Sequence, residues 1–230
     1  MAATAKERHD AVMNIGMLLF PGLTQLDLTG PFEVFHRIPG ATVHLVWKDT
    51  RPVRADSGLQ ILPTTSLAEC PPLDIVMVPG GFGQIALMDD AEILDWLRTQ
   101  GAGAKFVTSV CTGSLLLGAA GLLDGYKATS HWAFTELLAD LGATYAPGRV
   151  VVDRNRVTGG GVTAGIDFAL TLAAQVAGEQ VAKAIQLGLE YNPAPPFASG
   201  HPDVADPEIL AAVRARLVER GRDRFARRAT

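Results

Sequence analysis

The sequence predicts an α/β protein, a mostly parallel sheet with helices on both faces. Three observations carry this. Nearly unbroken apolar runs recur at residues 12–20 (VMNIGMLLF), 73–78 (LDIVMV) and 106–110 (FVTSV), and such runs belong to strands buried on both sides. Helical patterns alternate with them, as at 91–100 and 163–176. One stretch, 105–117 (KFVTSVCTGSLLL), passes from strand straight into an apolar helical run with Cys111 at the turn.

The elements follow in order. Strand 12–20 is almost wholly apolar, hence central, and Pro21-Gly22 ends it. Thr24 is placed to cap a short helix over 25–29, which Gly30-Pro31 interrupts before the helical pattern resumes at 32–38. A second strand spans 42–48, and Ser57-Gly58 centres a small hairpin within 51–62. Strand 73–78 ends at Pro79-Gly80-Gly81, and helix 91–100 precedes the Cys strand. A short strand at 127–129 and a helix over 132–141 come next. A hairpin at 150–153 and 156–158 turns at Asn155. Gly159-Gly160-Gly161 bends into helix 163–176, apolar nearly all round and therefore buried, and 179–189 forms a further helix. The segment 192–196 (NPAPP) excludes a regular element, and 207–228 is helical. This divides the chain into a disordered extension at 1–10, an α/β domain at 11–203 and a helical tail at 204–230. The seven arginines from 214 onward are interleaved with or flanked by acids. The tail therefore reads as a solvated helix face, or one clasping a second subunit, rather than a nucleic-acid site.

Bulk properties narrow the function. With 230 residues, 48% hydrophobic, the chain is ample for one core, and a net charge of −4 argues against nucleic acid or a membrane surface as partner. Two cysteines, Cys70 and Cys111, are too few for a disulfide scaffold, which suits a reducing cytoplasm. The opening MAATAKERHDA lacks the apolar core of a signal peptide, and no apolar run is long enough to span a bilayer. No tight His/Cys/Asp cluster has metal-ligand spacing, so no metal and no cofactor is expected.

Chemistry concentrates at the carboxyl ends of the predicted strands, where open α/β sheets bind ligands. A strand that turns sharply into a helix exposes the residue at the turn, the logic of a nucleophile elbow. At a helix start, unpaired N–H groups favour a thiolate, so Cys111 is a candidate nucleophile; a small buried hydrophobe is the plain alternative. Asp27, in QLDLTG, is either a backbone-bonding residue near a helix start or a general acid/base whose pKa burial raises. Gly80 and Gly81 form a plain turn, or let backbone N–H groups join that of Thr112 in a hole for developing negative charge. Asp167, on the apolar helix, reads as structural, as does His131 in SHW. Cys70 reads as a loop thiol without a role.

PGGFG, SVCTGSLLLGAAGLLDG, ATSHW, TGGGVTAGIDFALTL and EYNPAPPF, in this order, resemble the ThiJ/PfpI superfamily. With QLDLTGP, they resemble more narrowly the isocyanide hydratases and the sensor-like domains of certain AraC-type regulators. The resemblance runs over about 12–203. It implies a flavodoxin-like three-layer sandwich, a homodimer, and addition of water to an isocyanide, R–N≡C, to give an N-substituted formamide. It implies Cys111 as nucleophile, Asp27 as general acid/base, Thr112 as the residue after the nucleophile, and Gly81 and Thr112 as backbone donors. Gly80, Gly81, Phe82 and Gly160 are the expected substrate-contacting positions, with Trp132 also near the pocket wall. Thr112 stands where protease-like members place a His, which argues against amide hydrolysis. About 27 residues follow position 203, too few for a helix-turn-helix module, so an enzyme is favoured over a regulator. Two readings compete: a thiol-based sensor in which Cys111 oxidises, and a glyoxalase-type enzyme, whose relatives usually carry Glu where this chain has Asp27.

Overall fold

The computed structural model describes residues 12–228, with side chains to residue 221; the expected extension at 1–10 lies outside the described residues. In chain order the first half comprises β1 (Met13–Leu18), α1 (Gln25–Phe35), β2 (Ala41–Trp47), β3 (Val53–Arg54), β4 (Gln60–Ile61), β5 (Thr65–Ser66), β6 (Ile75–Val78), α2 (Gln84–Leu87) and α3 (Ala91–Gly103). The second half comprises β7 (Phe106–Val110), α4 (Gly113–Ala119), β8 (Lys127–Ala128), α5 (Leu137–Asp140), β9 (Thr144–Tyr145), β10 (Val150–Asp153), β11 (Arg156–Gly159), α6 (Ala164–Ala177), α7 (Glu179–Gly188) and α8 (Pro207–Arg228).

The main sheet has seven strands in the order β10-β11-β7-β6-β1-β2-β5. All its pairings are parallel except the edge hairpin of β10 with β11. The apolar runs occupy the interior: β6 is buried at every position, β1 over its last four and β7 over all but Phe106. On β7, Val107 stands near Gly101 of α3 and Val110 near Gly165 of α6. Side chains of odd and even parity point to opposite faces of a strand, so helices cover the sheet on both sides. The architecture is a three-layer, flavodoxin-like α/β sandwich.

Three local expectations differ from the structure. Gly30-Pro31 does not interrupt α1, which runs unbroken from Gln25 to Phe35 with Pro31 inside it. Proline removes one donor and its ring crowds the carbonyl one turn back, and packing outweighs that cost. Gly165 lets α6 come close, since a Cβ there would lie 3.1 Å from the Pro31 ring. Thr24 holds the N-cap position without a side-chain capping bond; its hydroxyl donates to Asp56 Oδ2 instead, at 3.2 Å. The helix expected at 132–141 is reduced to α5, preceded by turns. His131, Trp132 and Phe134 cluster there, with ring centroids 5.4 and 5.9 Å apart, and a helical backbone is given up for that aromatic packing. The 150–158 hairpin does turn at Arg154-Asn155, and Arg154 takes the left-handed conformation, φ 54.

The C-terminal helix exposes Arg214, Arg216 and Arg220, as a solvated face does, and turns its other side to the domain. Asp206 caps α8 by accepting from the Glu208 and Ile209 N–H groups at 2.9 and 3.3 Å, with Pro207 at the first helical position. α8 then returns to α2. Gly221 is buried, and a Cβ on it would lie 3.6 Å from Phe134 and 3.8 Å from Phe82.

Candidate active site

The strand-to-helix turn places Cys111 in the left-handed region, φ 56, a conformation a non-glycine residue holds only when its surroundings impose it. The surroundings do so through backbone bonds. The Cys111 N–H donates to the Gly159 and Gly160 carbonyls at 3.0 and 2.7 Å. Its own carbonyl accepts from the Ser114 and Ser130 hydroxyls at 3.2 and 3.1 Å. Gly113 completes the elbow, because a Cβ there would collide with the Val78 and Pro79 carbonyls.

Asp27, in the first turn of α1, is fully buried beside Cys111. Its Oδ2 accepts the Gly80 N–H at 2.9 Å, so it bonds a distant backbone rather than its own helix start. Oδ1 is buried without a hydrogen-bond partner among the described residues. Burial is the largest influence on Asp27 and raises its pKa from 3.8 to about 7, against the opposing pull of the Gly80 N–H and the Cys111 thiol. Cys111 is pushed well above the ordinary thiol value, first by burial and then by the Asp27 charge, although the Thr112 N–H favours its thiolate. This corrects the expectation of a thiolate at rest. The helix start is buried, so desolvation outweighs the donors and dipole of a short helix, and the resting Cys111 is a thiol facing a carboxyl.

The glycine turn is tied into the same group. Gly81 N–H donates to Thr112 Oγ1 at 3.1 Å, while Gly80 N–H is taken by Asp27. Of the backbone donors considered, that of Thr112 is the one that favours the charged form of the Cys111 sulfur. Gly81, φ 121, cannot be substituted, since a Cβ would meet the Leu23–Thr24 backbone. A Cβ on Gly80 would stand 2.7 Å from Asp27 Oδ2, 2.7 Å from Thr112 N and 2.8 Å from Cys111 Cβ. Gly80→Ala is expected to wedge the pair apart and lower turnover by at least about 10²-fold with the fold intact, because a misplacement of about 1 Å costs that much. Steady-state kinetics beside a circular dichroism spectrum check this.

Cys111, Thr112, Gly81 and Phe82 border a cavity of about 130 Å³, walled by Ile85, Leu115, Phe134, Leu137, Val162 and Leu217. Phe82 packs edge-on against Phe134 at 5.8 Å. Gly160 and Trp132 border a neighbouring groove instead, and Gly160 serves the elbow through its carbonyl. His131 reaches the cavity wall; its Nδ1 accepts the Ala133 N–H at 3.3 Å and burial lowers its pKa, so it is a neutral ring. Asp167 lies away from the cavity, joined to Arg149 at 2.6 Å and to the Tyr191 hydroxyl at 3.0 Å. Cys70 is half-buried, its thiol raised to about 11 by burial. Among the described residues, no group of three His, Cys, Asp or Glu side chains stands close enough to hold a metal ion.

The arrangement matches a known family along most of the chain: the model of the DJ-1/PfpI family fits residues 13–175. The chain belongs to the DJ-1/PfpI family. It is 56% identical over 204 residues, 89% of its length and 90% of the relative's, to an isonitrile hydratase of Pseudomonas putida. It is 33% identical to the HTH-type transcriptional regulator GbdR of Pseudomonas aeruginosa, over 75% of this chain but 49% of that one. Among solved structures, a ThiJ/PfpI family protein from Pseudomonas syringae superposes with a TM-score of 0.91 at 42% identity, covering 100% of this chain and 98% of that one. Drosophila melanogaster DJ-1beta follows at 0.73 and 27%, covering 78% and 98%.

Sequence reasoning missed most of the cavity wall, Gln84, Phe134, Leu217 and Arg220 among it. Gln84 lies three residues past Gly81 on α2, and its proximity to PGGFG was the available signal. Leu217 and Arg220 come from α8, where no local pattern foretells the return. Arg220 lies 4.8 Å above the Phe82 ring and Arg214 5.0 Å above Trp132, so cation–π contacts help hold α8 across the site.

Proposed function

We propose that this chain is an isocyanide hydratase, converting R–N≡C and water into R–NH–CHO with Cys111 as nucleophile and Asp27 as the proton carrier. The observation that carries this is the buried carboxyl of Asp27, ionising near pH 7, set against the Cys111 thiol at the floor of an apolar cavity. The relative most similar in sequence above is named an isonitrile hydratase, a synonym for the same activity.

The chemistry follows from the pair. Ionised Asp27 takes the thiol proton as sulfur attacks the electrophilic carbon, then delivers it to that carbon, leaving a thioimidate, R–N=CH–S–Cys111. Asp27 next takes a proton from water as the oxygen bonds to carbon, and passes it to nitrogen. Collapse of R–NH–CH(OH)–S–Cys111 breaks the C–S bond, returns the hydroxyl proton through Asp27 to sulfur, and releases the formamide. The Thr112 N–H stabilises the charge that builds on sulfur when the bond forms and breaks. An apolar wall suits an aryl or alkyl R group, which carries no charge to pair. Among the described residues no helix is long and apolar enough to cross a membrane. We place the enzyme in the cytoplasm as a homodimer, working without a cofactor.

The test is formamide production from an aryl isocyanide, followed by mass spectrometry. Because the carboxylate form of Asp27 starts the reaction, kcat/KM is expected to rise with pH through about 7 and to fall tenfold per pH unit below it. A pH-independent profile between 5 and 8 removes Asp27 from the proton relay. No turnover, with Cys111 still open to oxidation, supports the sensor reading.

A further inference from the structure

Resting on the hydratase reading, we propose that Leu217 of α8 sets the substrate class, as the stop that limits R to about the size of a single six-membered ring. The cavity that Cys111 borders measures about 130 Å³. An apolar cavity of about 150 Å³ takes up benzene, so this one is filled by a single ring whose isocyano group reaches the thiol. The other apolar wall residues, from Phe82 to Val162, lie within the stretch 13–175 that the family model matches. Among the described residues, Leu217 is the apolar wall residue that lies beyond it. The Cys111–Asp27 pair thus belongs to the shared part of the fold, and the roof comes from an element outside that part.

The pattern of α8 puts Leu217 in that place. Leu210, Val213, Leu217 and Gly221 recur at spacings of three and four and are all at least half-buried, so they form the face turned to the domain. At Gly221 the backbone approaches two aromatic rings, since a Cβ there would lie 3.8 Å from Phe82 and 3.6 Å from Phe134. Both rings border the cavity. One turn earlier on the same face, Leu217 closes the space beside them. The Asp206 cap and the stacking of Arg214 on Trp132 and of Arg220 on Phe82 hold the helix there. Arg220 also borders the cavity, but it is exposed and its long side chain can yield toward solvent, as the half-buried Leu217 cannot. Val213, on the same face, borders a neighbouring groove with Trp132 rather than the cavity. A hydrophobic wall discriminates by the atoms it leaves room for, and a difference of a methylene is worth about 10-fold or more in kcat/KM.

The experiment measures kcat/KM of the full-length protein for methyl, phenyl and 2-naphthyl isocyanide, the last carrying a second ring away from the reacting carbon. The wild type is expected to prefer phenyl over 2-naphthyl isocyanide. Leu217→Ala removes the branched end of the side chain and is expected to raise the naphthyl-to-phenyl ratio at least about 10-fold. Leu217→Phe narrows the cavity and is expected to act in the opposite sense, shifting preference from phenyl toward methyl isocyanide by a similar factor. Val213→Ala loosens the same helix without touching the cavity, and is expected to keep the wild-type ratios while its Tm falls. A naphthyl-to-phenyl ratio unchanged in Leu217→Ala overturns the assignment. So does a ratio raised equally by Val213→Ala, which is the signature of a loosened helix rather than of a stop. A wild type that turns over none of the three isocyanides instead fails the hydratase reading, and the assignment with it.

Discussion

Cys111→Ala is expected to reduce formamide production to background, at least about 10⁴-fold below the wild type, because no other group on the cavity wall can form the thioimidate. The fold is expected to survive. Alanine keeps the Cβ, and the hydrogen bonds that hold position 111 in its left-handed conformation involve only its backbone N–H and carbonyl. The loss of a buried sulfur costs roughly 1 kcal/mol. Mass spectrometry of the product and a thermal melt read the two effects separately. Turnover above a tenth of the wild-type rate in Cys111→Ala sinks the covalent mechanism.

Asp27→Asn is expected to act in opposite directions on activity and stability. Activity falls by about 10³-fold, since an amide cannot take the thiol proton or return it. Stability rises at alkaline pH, and the sign follows from linkage. The Asp27 pKa is about 7 in the folded chain and near 3.8 in the unfolded one, so between those values the folded state binds the extra proton. The wild-type carboxyl is therefore least costly at or below pH 4, and its cost grows as pH rises through 7, reaching about 4 kcal/mol. Asparagine mimics the protonated acid at every pH. It is expected to raise Tm by roughly 10 °C at pH 8, with the gain shrinking steadily as the pH is lowered to 5. Thermal melts across that range check the trend, and a gain that does not change with pH contradicts the buried carboxylate.

The two substitutions rest on features of different legibility. Cys111 stood out in the sequence because an apolar strand pattern broke at a Cys and resumed as a helix, a local signal within thirteen residues. Asp27 was ambiguous there, since an Asp near a helix start most often serves its own backbone. Only the sheet, by placing β1 beside β6 and β6 beside β7, brings α1, the Gly80-Gly81 turn and the elbow to one strand-end cluster. The protonation of Cys111 was misjudged for the same reason. A helix start is readable locally, whereas burial is a property of everything packed around it, and here burial prevails.

The sequence by itself determined the order of strands and helices, the buried character of β1, β6 and β7, the elbow and the membership of a family. Those depend on side-chain periodicity, on glycines at forced turns and on short motifs, all of which act within a few residues. Tertiary structure alone decided that α1 runs through Pro31 because α6 packs on it at Gly165, that 132–136 give up helix for aromatic contacts, and that α8 folds back to roof the cavity with Leu217 and Arg220. It also decided that Gln84 sits buried with its carbonyl unpartnered among the described residues. Each of these turns on contacts between residues distant in the chain, and a one-dimensional pattern carries no record of what will lie on the other side of such a contact.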